Sequence, residues 1–260
     1  MHGLEVFYNM NNPQTETSVY VRRHRPDGSM MVVPCVMSML APEDFDDAAR
    51  IHDEVAHGLS RDIFVPSSHE EIERYLGGEG LAVGIKHEGR LICLRTAILG
   101  REWARYTAEG MGLPAEAAEG AACTGFCVVD KEFRGNNVQF LSQYYAENII
   151  SASCDKILTT VSPHNIFSLH NVLDCNYRII GLKEIYGGHV RYVLRKEFRP
   201  AFPLWTHWHV QIPIRDLDRQ RSALAAGTVG YKLARKPSGM YVLYAGAGNF
   251  PCSAKDILAE

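Results

Sequence analysis

The stretch "VVDKEFRGNNVQFLSQYYAENII", from Val128 to Ile150, decides the fold. It begins as the end of a nearly continuous apolar run (121–129), which is typical of a strand covered on both faces. A polar turn follows at 134–137, and apolar residues then recur at helical spacing. The stretch therefore predicts a buried strand, a short turn and a helix in direct succession.

The turn has the chemistry of an anion-binding site. The first N–H groups of a helix lack helical partners and carry partial positive charge, and a turn that presents successive N–H groups forms a nest for phosphate oxygens. Gly135 permits a positive φ, and Asn136 and Asn137 tolerate the left-handed region better than most residues. The alternative is an ordinary strand, turn and helix with an Asn as the N-cap. Local features alone leave both interpretations open.

The elements on either side of this stretch follow a recognisable order. Upstream, the sequence predicts a strand at 31–40, a helix that starts at Pro42, a second helix and a hairpin that turns at 87–89. The second helix follows a Ser-x-x-Glu capping box, formed either by Ser67 and Glu70 or by Ser68 and Glu71. Downstream come a strand at 157–161, a short helix at about 164–175 and two strands that flank 186–188. We expect a loop or a poor helix at 100–120.

Composition excludes several classes of protein. The chain has 260 residues, of which 46% are hydrophobic and 22% charged, and its net charge of -3 argues against a general nucleic-acid binder. No apolar run approaches the ~20 residues that span a bilayer. The N-terminus lacks the pattern of a signal peptide. Seven scattered cysteines favour a reduced, cytoplasmic protein, and Cys123 and Cys127 lack the second Cys/His pair of a zinc site, so no metal is expected.

In this order of elements, the chain resembles the GNAT superfamily of acyl-CoA-dependent N-acetyltransferases. The segment Val129-Asp130-Lys131-Glu132-Phe133-Arg134-Gly135 is similar to the end of the family's central strand and its Arg-Gly turn. The later segment "TTVSPHNIFSLHNVLDCNYRI" is similar to the family's next strand and helix, with Asn165, Ser168 and Asn176-Tyr177 in the corresponding places. The resemblance covers about residues 30–196. Two later glycines of the family's turn fall here on Asn137 and Gln139.

The resemblance implies an α/β fold, with a mixed, mostly antiparallel central sheet flanked by helices on both faces and a small C-terminal α+β extension. Beside an N-acetyltransferase domain at 30–198, the polar N-terminal stretch predicts an arm at 1–29, irregular or a short edge strand, and the change of composition from about residue 197 predicts an extension at 199–260. The extension is Pro- and Trp-rich at its start, and its later part predicts a helix that ends at Gly227 and a hairpin. We expect it to form a lid over the acceptor cleft or a dimer contact.

The resemblance also implies acetyl-CoA as the acyl donor and a primary amine that attacks the thioester directly. The pantetheine arm would pair with the backbone of Phe126, Val128 and Val129. Asn165 and Ser168 would also contact the cofactor. The diphosphate would be held by the amides at the helix start, from Arg134, Gly135, Asn136, Asn137, Val138 and Gln139.

The catalytic residues are less clearly marked. Many members of the family carry a Tyr as proton donor where this chain has Val172, so water or another side chain, such as Tyr177 or Tyr186, would have to serve instead. Glu119, just before the central strand, is the candidate general base. Cys127 is interpreted as a buried core residue, because the sequence shows no basic partner for it.

Three alternatives remain open at this point. The chain could be a non-catalytic acyl-CoA-binding regulatory module, a related transferase with a carrier-protein or aminoacyl-tRNA donor, or a structural interaction domain. For the transferase we expect a small-molecule or peptide amine as acceptor, no nucleic acid, no membrane and a possible homodimer.

Overall fold

The computed structural model describes residues 16–198 and 204–247, so part of the predicted N-terminal arm and both ends of the extension lie outside the described residues. The chain divides into two compact units. The first comprises Met1–Ala104 and Ala122–Ser153, and the second comprises Arg105–Ala121 and Cys154–Glu260.

The described residues form eleven strands and six α-helices. The strands are β1 (Thr17–His24), β2 (Met30–Met39), β3 (Gly80–His87), β4 (Arg90–Ile98), β5 (Ala121–Val129), β6 (Lys156–Val161), β7 (Arg178–Ile185), β8 (His189–Glu197), β9 (Leu204–Pro213), β10 (Thr228–Lys236) and β11 (Gly239–Ala247). The helices are α1 (Phe45–Ala56), α2 (His69–Leu76), α3 (Arg101–Gly110), α4 (Val138–Ile150), α5 (Ile166–Asp174) and α6 (Leu217–Ala225). The α/β class with a mostly antiparallel sheet is confirmed.

The first unit contains an antiparallel sheet in the order β1-β2-β3-β4-β5. The β3–β4 hairpin turns where the sequence predicts it, and Glu88 and Gly89 both have positive φ. β4 is buried at nearly every position because it lies inside the sheet between β3 and β5. The buried stripe of α1 includes Ala48, Ile51, His52 and Val55, as the helical spacing predicts.

Helix α2 begins with a complete capping box. The Ser68 hydroxyl accepts a hydrogen bond from the Glu71 amide at 3.1 Å, and the Glu71 carboxylate accepts one from the Ser68 amide at 2.9 Å. Of the two capping boxes that the sequence allows, the structure therefore contains the second.

The Ser68→Ala variant should lower the free energy of unfolding by about 1 kcal/mol, because one amide of the first turn loses its acceptor. Ser67→Ala is the matched control, since the backbone of Ser67, rather than its hydroxyl, makes the hydrogen bond to His52. Urea unfolding of both variants measures the difference. Equal losses in the two would contradict the assignment of the cap.

The described part of the N-terminal arm is regular. β1 pairs with β2 over its whole length, from Thr17 opposite Met37 to His24 opposite Met30. Buried and exposed residues alternate along its first six positions, and Val19 and Val21 are buried. Of the two forms that the sequence allows, the structure shows a strand at the edge of this sheet.

The segment at 100–120 is more regular than a loop. α3 covers ten of these residues and is followed by a 3₁₀ turn at Ala115–Ala118. Trp103 of this helix lies against Tyr75, with ring centroids 4.8 Å apart, and under the guanidinium of Arg74 at 4.0 Å. α3 is held by one large aromatic contact and several small alanines, so few large apolar residues recur at helical spacing. The sequence of the segment therefore shows only weak helical periodicity.

The second unit contains an antiparallel sheet in the order β6-β8-β7-β10-β11-β9. The predicted strand pair around 186–188 and the predicted C-terminal hairpin are both present as β7–β8 and β10–β11. Gln220 of α6 is fully buried and accepts hydrogen bonds from the hydroxyls of Tyr192 and Tyr244 at 2.7 and 2.8 Å. The core of this unit therefore contains a polar network.

No helix among residues 16–198 and 204–247 is long and apolar enough to cross a membrane.

Candidate functional site

The turn between β5 and α4 adopts the conformation of an anion nest. Gly135 has φ +75°, and Asn137 has φ 58° and ψ 17° in the left-handed region. Asn137 occupies the N-cap position, yet its side chain makes no capping hydrogen bond. Within the described chain, the amides of Gly135, Asn136, Asn137 and Val138 donate no hydrogen bond. This is the arrangement expected for a diphosphate site rather than for a capped helix.

The described part of the N-terminal arm braces this turn. The Asn136 amide group donates to the carbonyls of Arg22 and Phe133. The His24 ring lies 3.1 Å from the Arg134 carbonyl, and the Arg23 guanidinium binds Glu132 at 2.8 Å. The side chain of Asn136 is thus occupied in hydrogen bonds within the protein. The backbone N–H group of Asn136 is the part that remains for a ligand.

The directions of the β5 amides limit which residues can pair with a pantetheine arm. The Phe126 amide donates to the Thr96 hydroxyl at 2.9 Å, and the Asp130 amide donates to the Ile92 carbonyl at 2.9 Å. Since N–H directions alternate along a strand, Val128 also points toward β4. The amides of Phe126 and Val128 therefore face β4, and those of Cys127 and Val129 face away from it. The pairing with a pantetheine arm stays a prediction.

A β-bulge interrupts the β4–β5 ladder next to this point. Arg95 pairs with Cys127 and Ala97 with Thr124, so Gly125 and Phe126 lie opposite the single residue Thr96. A Cβ atom on Gly125 would overlap with the Thr96 and Tyr75 hydroxyls. The glycine lets two side chains approach the strand closely.

The Gly125→Ala variant should lose about 1–3 kcal/mol of unfolding free energy, because the added methyl displaces two packed hydroxyl groups. Gly110→Ala at the end of α3 is the control, since a Cβ there meets nothing within 4 Å. Thermal unfolding of the two variants measures the effect. A Gly125→Ala protein as stable as the control would contradict the packing at the bulge.

The thiol of Cys127 lies beneath the helix start among hydrogen-bond donors. Arg95, which is 6% exposed, donates from Nε to the Ser142 hydroxyl at 3.0 Å and from Nη2 to the Gln139 carbonyl at 2.9 Å. The Ser142 hydroxyl is 3.9 Å from the Cys127 sulfur. The Gln139 side chain also acts on this thiol and lowers its pKa.

These neighbours lower the pKa of Cys127 to about 6. The hydrogen bond with the Cys93 thiol is the largest cause; burial opposes it, and the charge of Arg95 acts in the same direction as the bond. The pKa of Cys93 is raised well above its ordinary value, first by that hydrogen bond and then by burial. The expectation that Cys127 lacks a basic partner is therefore wrong. The signal was Arg95 itself, a charge inside the apolar run "RLICLRTAIL".

The structure matches the acetyltransferase of the GNAT family from Streptococcus pneumoniae over 63% of this chain and 99% of that chain, with 15% sequence identity and a TM-score of 0.50. The chain has the GNAT fold. Looser similarities are to the GNAT domain of S. lividans PAT (18% identity, 70% of this chain and 97% of that chain, TM-score 0.49) and to the PaiA N-acetyltransferase from Thermoplasma acidophilum in complex with coenzyme A (12%, 63% and 99%, 0.46). No family model and no curated protein sequence matches the chain.

In the second unit, the residues that the GNAT resemblance assigns to the cofactor form a helix cap. Asn165 is the N-cap of α5, and its side-chain oxygen accepts from the Ser168 amide at 3.1 Å. This bond gives both residues a structural role. The Asn165 side-chain nitrogen and the Ser168 hydroxyl make no hydrogen bond within the described chain, so their contact with a cofactor stays a prediction.

The catalytic candidates suggested by the GNAT resemblance differ in accessibility. Glu119 is exposed at the end of the 3₁₀ turn, so its role as base stays a prediction. Tyr177 has no exposed surface, so in this conformation its hydroxyl cannot reach a substrate. Tyr186 is 48% exposed, and its hydroxyl lies 3.2 Å from that of Thr160. Tyr186 is therefore the better-placed proton donor of the two.

No group of three or more potential metal ligands occurs among the described residues.

Proposed function

We propose that this protein is an acyl-CoA-dependent N-acyltransferase that transfers acetyl from acetyl-CoA to a primary amine. The observation that carries the proposal is the turn before α4, where the consecutive amides of Gly135, Asn136, Asn137 and Val138 have no acceptor in the described chain. The GNAT fold also supports the proposal. β5, the turn and α4 are the elements to which the resemblance assigns the diphosphate.

The electrostatics of this turn favour a doubly charged ligand. Each charge-assisted hydrogen bond contributes about 1.5–3 kcal/mol, and the helix dipole adds about 0.3–1 kcal/mol. The buried guanidinium of Arg95 adds positive charge beneath the same helix start, since it donates to the Gln139 carbonyl and has no carboxylate partner in the described chain. A diphosphate satisfies these donors better than water does.

The backbone of β5 offers a second contact. The amides of Cys127 and Val129 point away from β4 and can pair with an extended amide chain such as a pantetheine arm. The Val129 carbonyl already accepts a hydrogen bond from the Arg134 guanidinium at 3.0 Å. The pantetheine contact therefore relies on N–H groups more than on carbonyls.

The chemistry needs a group that takes a proton from the amine and a group that gives one to the departing thiolate. We assign the first role to Glu119 and transfer the second from Tyr177 to Tyr186, because Tyr186 is exposed and Tyr177 is not. When bound, acetyl-CoA supplies the activated thioester. The acceptor is a small-molecule or peptide amine, and a cytoplasmic homodimer remains part of the proposal.

A non-catalytic acyl-CoA-binding module is the second candidate. One observation favours it: Val172, at the position of the family's tyrosine, is 9% exposed and cannot donate a proton. The two candidates share the diphosphate site and differ only in chemistry.

Calorimetric titration and a thiol-release assay separate the candidates. We expect coenzyme A and acetyl-CoA to bind, and pantetheine, which lacks the diphosphate, to bind at least about tenfold more weakly. Release of thiol with any member of a panel of small amines and N-terminal peptides identifies a transferase. Binding without release identifies the module, and equal binding of pantetheine and coenzyme A would remove the diphosphate site from both.

A further inference from the structure

The sulfur of Cys127 is surrounded by hydrogen-bond donors, and the acyl-transfer proposal gives this sulfur no role. We propose that Cys127 is an oxidation site, where a hydroperoxide oxidises the sulfur and Cys93 then closes a disulfide between β4 and β5. The proposal is independent of the acyltransferase assignment, since it rests on side chains of the first unit alone.

The charge of Arg95 favours the thiolate form of Cys127. Arg95 is buried and has no carboxylate partner within the described chain, and its two hydrogen bonds go to neutral oxygens of Ser142 and Gln139. A buried guanidinium is costly unless an anion lies near it. Cys127 pairs with Arg95 in the β4–β5 ladder and is the neighbouring group that can become an anion. The pair therefore favours the thiolate, which is the nucleophilic form of cysteine.

Cys127 is half-buried, whereas Cys93 is fully buried and Cys35 is 3% exposed. Of these three cysteines, Cys127 is therefore the most accessible to a small oxidant. Burial raises the pKa of Cys35 to about 11, so this thiol is both enclosed and protonated.

Cys93 lies close to Cys127 in the β4–β5 ladder. Cys93 pairs with Val129, two residues along the ladder from the Arg95–Cys127 pair, so the two cysteines are diagonal neighbours on the same face of the sheet. The interaction of the two thiols shifts their pKa values in opposite directions. Cys93 therefore lies where a resolving thiol is needed.

The reaction balances with a hydroperoxide as the only oxidant. The Cys127 thiolate attacks the terminal peroxide oxygen, the O–O bond breaks, and the leaving alkoxide or hydroxide takes a proton from water. Cys127 is then a sulfenic acid. The Cys93 sulfur attacks the Cys127 sulfur, the S–O bond breaks, and hydroxide leaves as water with the Cys93 proton.

The test exposes the full chain to hydrogen peroxide and maps the products by peptide mass spectrometry. We expect a Cys93–Cys127 disulfide in the wild type, and a dimedone-trapped sulfenic acid at Cys127 in Cys93→Ser. Cys35→Ser is the matched control and should oxidise like the wild type. Oxidation of Cys127 no faster than that of Cys35, or a sulfenic acid in the wild type that never closes onto Cys93, would overturn the proposal.

The role of Arg95 gives a second readout that folding alone does not change. The charged or titratable side chains that face Cys127 are Arg95 and Cys93 from β4, while α4 contributes the neutral Ser142 and Gln139. The rate of alkylation by iodoacetamide should rise with pH and reach half its maximum near pH 6. In Arg95→Met the midpoint should move toward the ordinary value, and the rate at pH 6 should fall about tenfold.

Arg95→Lys should keep most of the rate, because it keeps the charge. Circular dichroism checks that each variant is folded. A midpoint near pH 8.5, the value of an ordinary thiol, in the folded wild type would refute the proposal.

Discussion

The Gly135→Val variant should bind acetyl-CoA at least about a hundredfold more weakly than the wild type while remaining folded. Gly135 has φ +75°, and a Cβ built on it meets no atom within 4 Å. The added side chain therefore clashes with nothing in the free protein. We expect it to fill the open space beside the turn and to obstruct a diphosphate there, with the loss of about two charge-assisted hydrogen bonds.

The substitution also has a conformational cost. A β-branched residue in the left-handed region loses about 1–2 kcal/mol of stability. Gly78→Val is the matched control, because Gly78 has φ +94° and open space around its Cβ position and follows α2 rather than the turn. We expect similar thermal unfolding for both variants and a loss of calorimetric binding in Gly135→Val alone. Wild-type affinity in Gly135→Val would contradict the diphosphate site.

The Gln220→Leu variant should destabilise the second unit by about 3 kcal/mol or more. Gln220 is fully buried and accepts from the Tyr192 and Tyr244 hydroxyls, while its amide group donates to the carbonyls of Pro213 and Ile214 at 3.2 and 3.0 Å. Leucine fills a similar volume but leaves the two buried hydroxyls and the Ile214 carbonyl without this partner, while the Pro213 carbonyl keeps its bond from the Asp216 amide.

Removing the two tyrosine hydroxyls should restore part of the stability that Gln220→Leu loses. Adding Tyr192→Phe and Tyr244→Phe to Gln220→Leu removes the two orphaned hydroxyls, so the triple variant should recover about half of the loss. Ser222→Ala on the same helix is the control, because its exposed hydroxyl bonds only to the Asp218 carbonyl at 3.0 Å. Urea unfolding compares the four proteins. A triple variant less stable than Gln220→Leu alone would refute the idea that unpaired hydroxyls cause the loss.

The order of elements could be predicted from the sequence because each boundary has a local cause. The Glu88-Gly89 pair specifies the hairpin turn, and Ser68 with Glu71 specifies the start of α2. Gly135 and Asn137 mark the left-handed positions of the candidate nest. Each of these features depends on a few neighbouring residues, which a sequence displays directly.

The details of the site depend on contacts between distant segments. The Phe126 amide is occupied because a bulge places Thr96 opposite it, and no local pattern shows a bulge. Arg95 becomes the partner of Cys127 through the register of β4 against β5. α3 was harder to predict because its main contact, between Trp103 and Tyr75, joins residues that are far apart in the sequence.

The brace of β1 on the turn has a consequence for the order in which the chain can acquire its ligand-binding form. The contacts Arg23–Glu132, His24–Arg134 and Arg22–Asn136 join residues 109, 110 and 114 positions apart. During synthesis, β1 emerges from the ribosome long before the turn that it stabilises, and it must wait for that partner. A recombinant protein that begins at residue 30 would lack all three contacts. It should bind coenzyme A weakly even when its remaining strands are correctly formed.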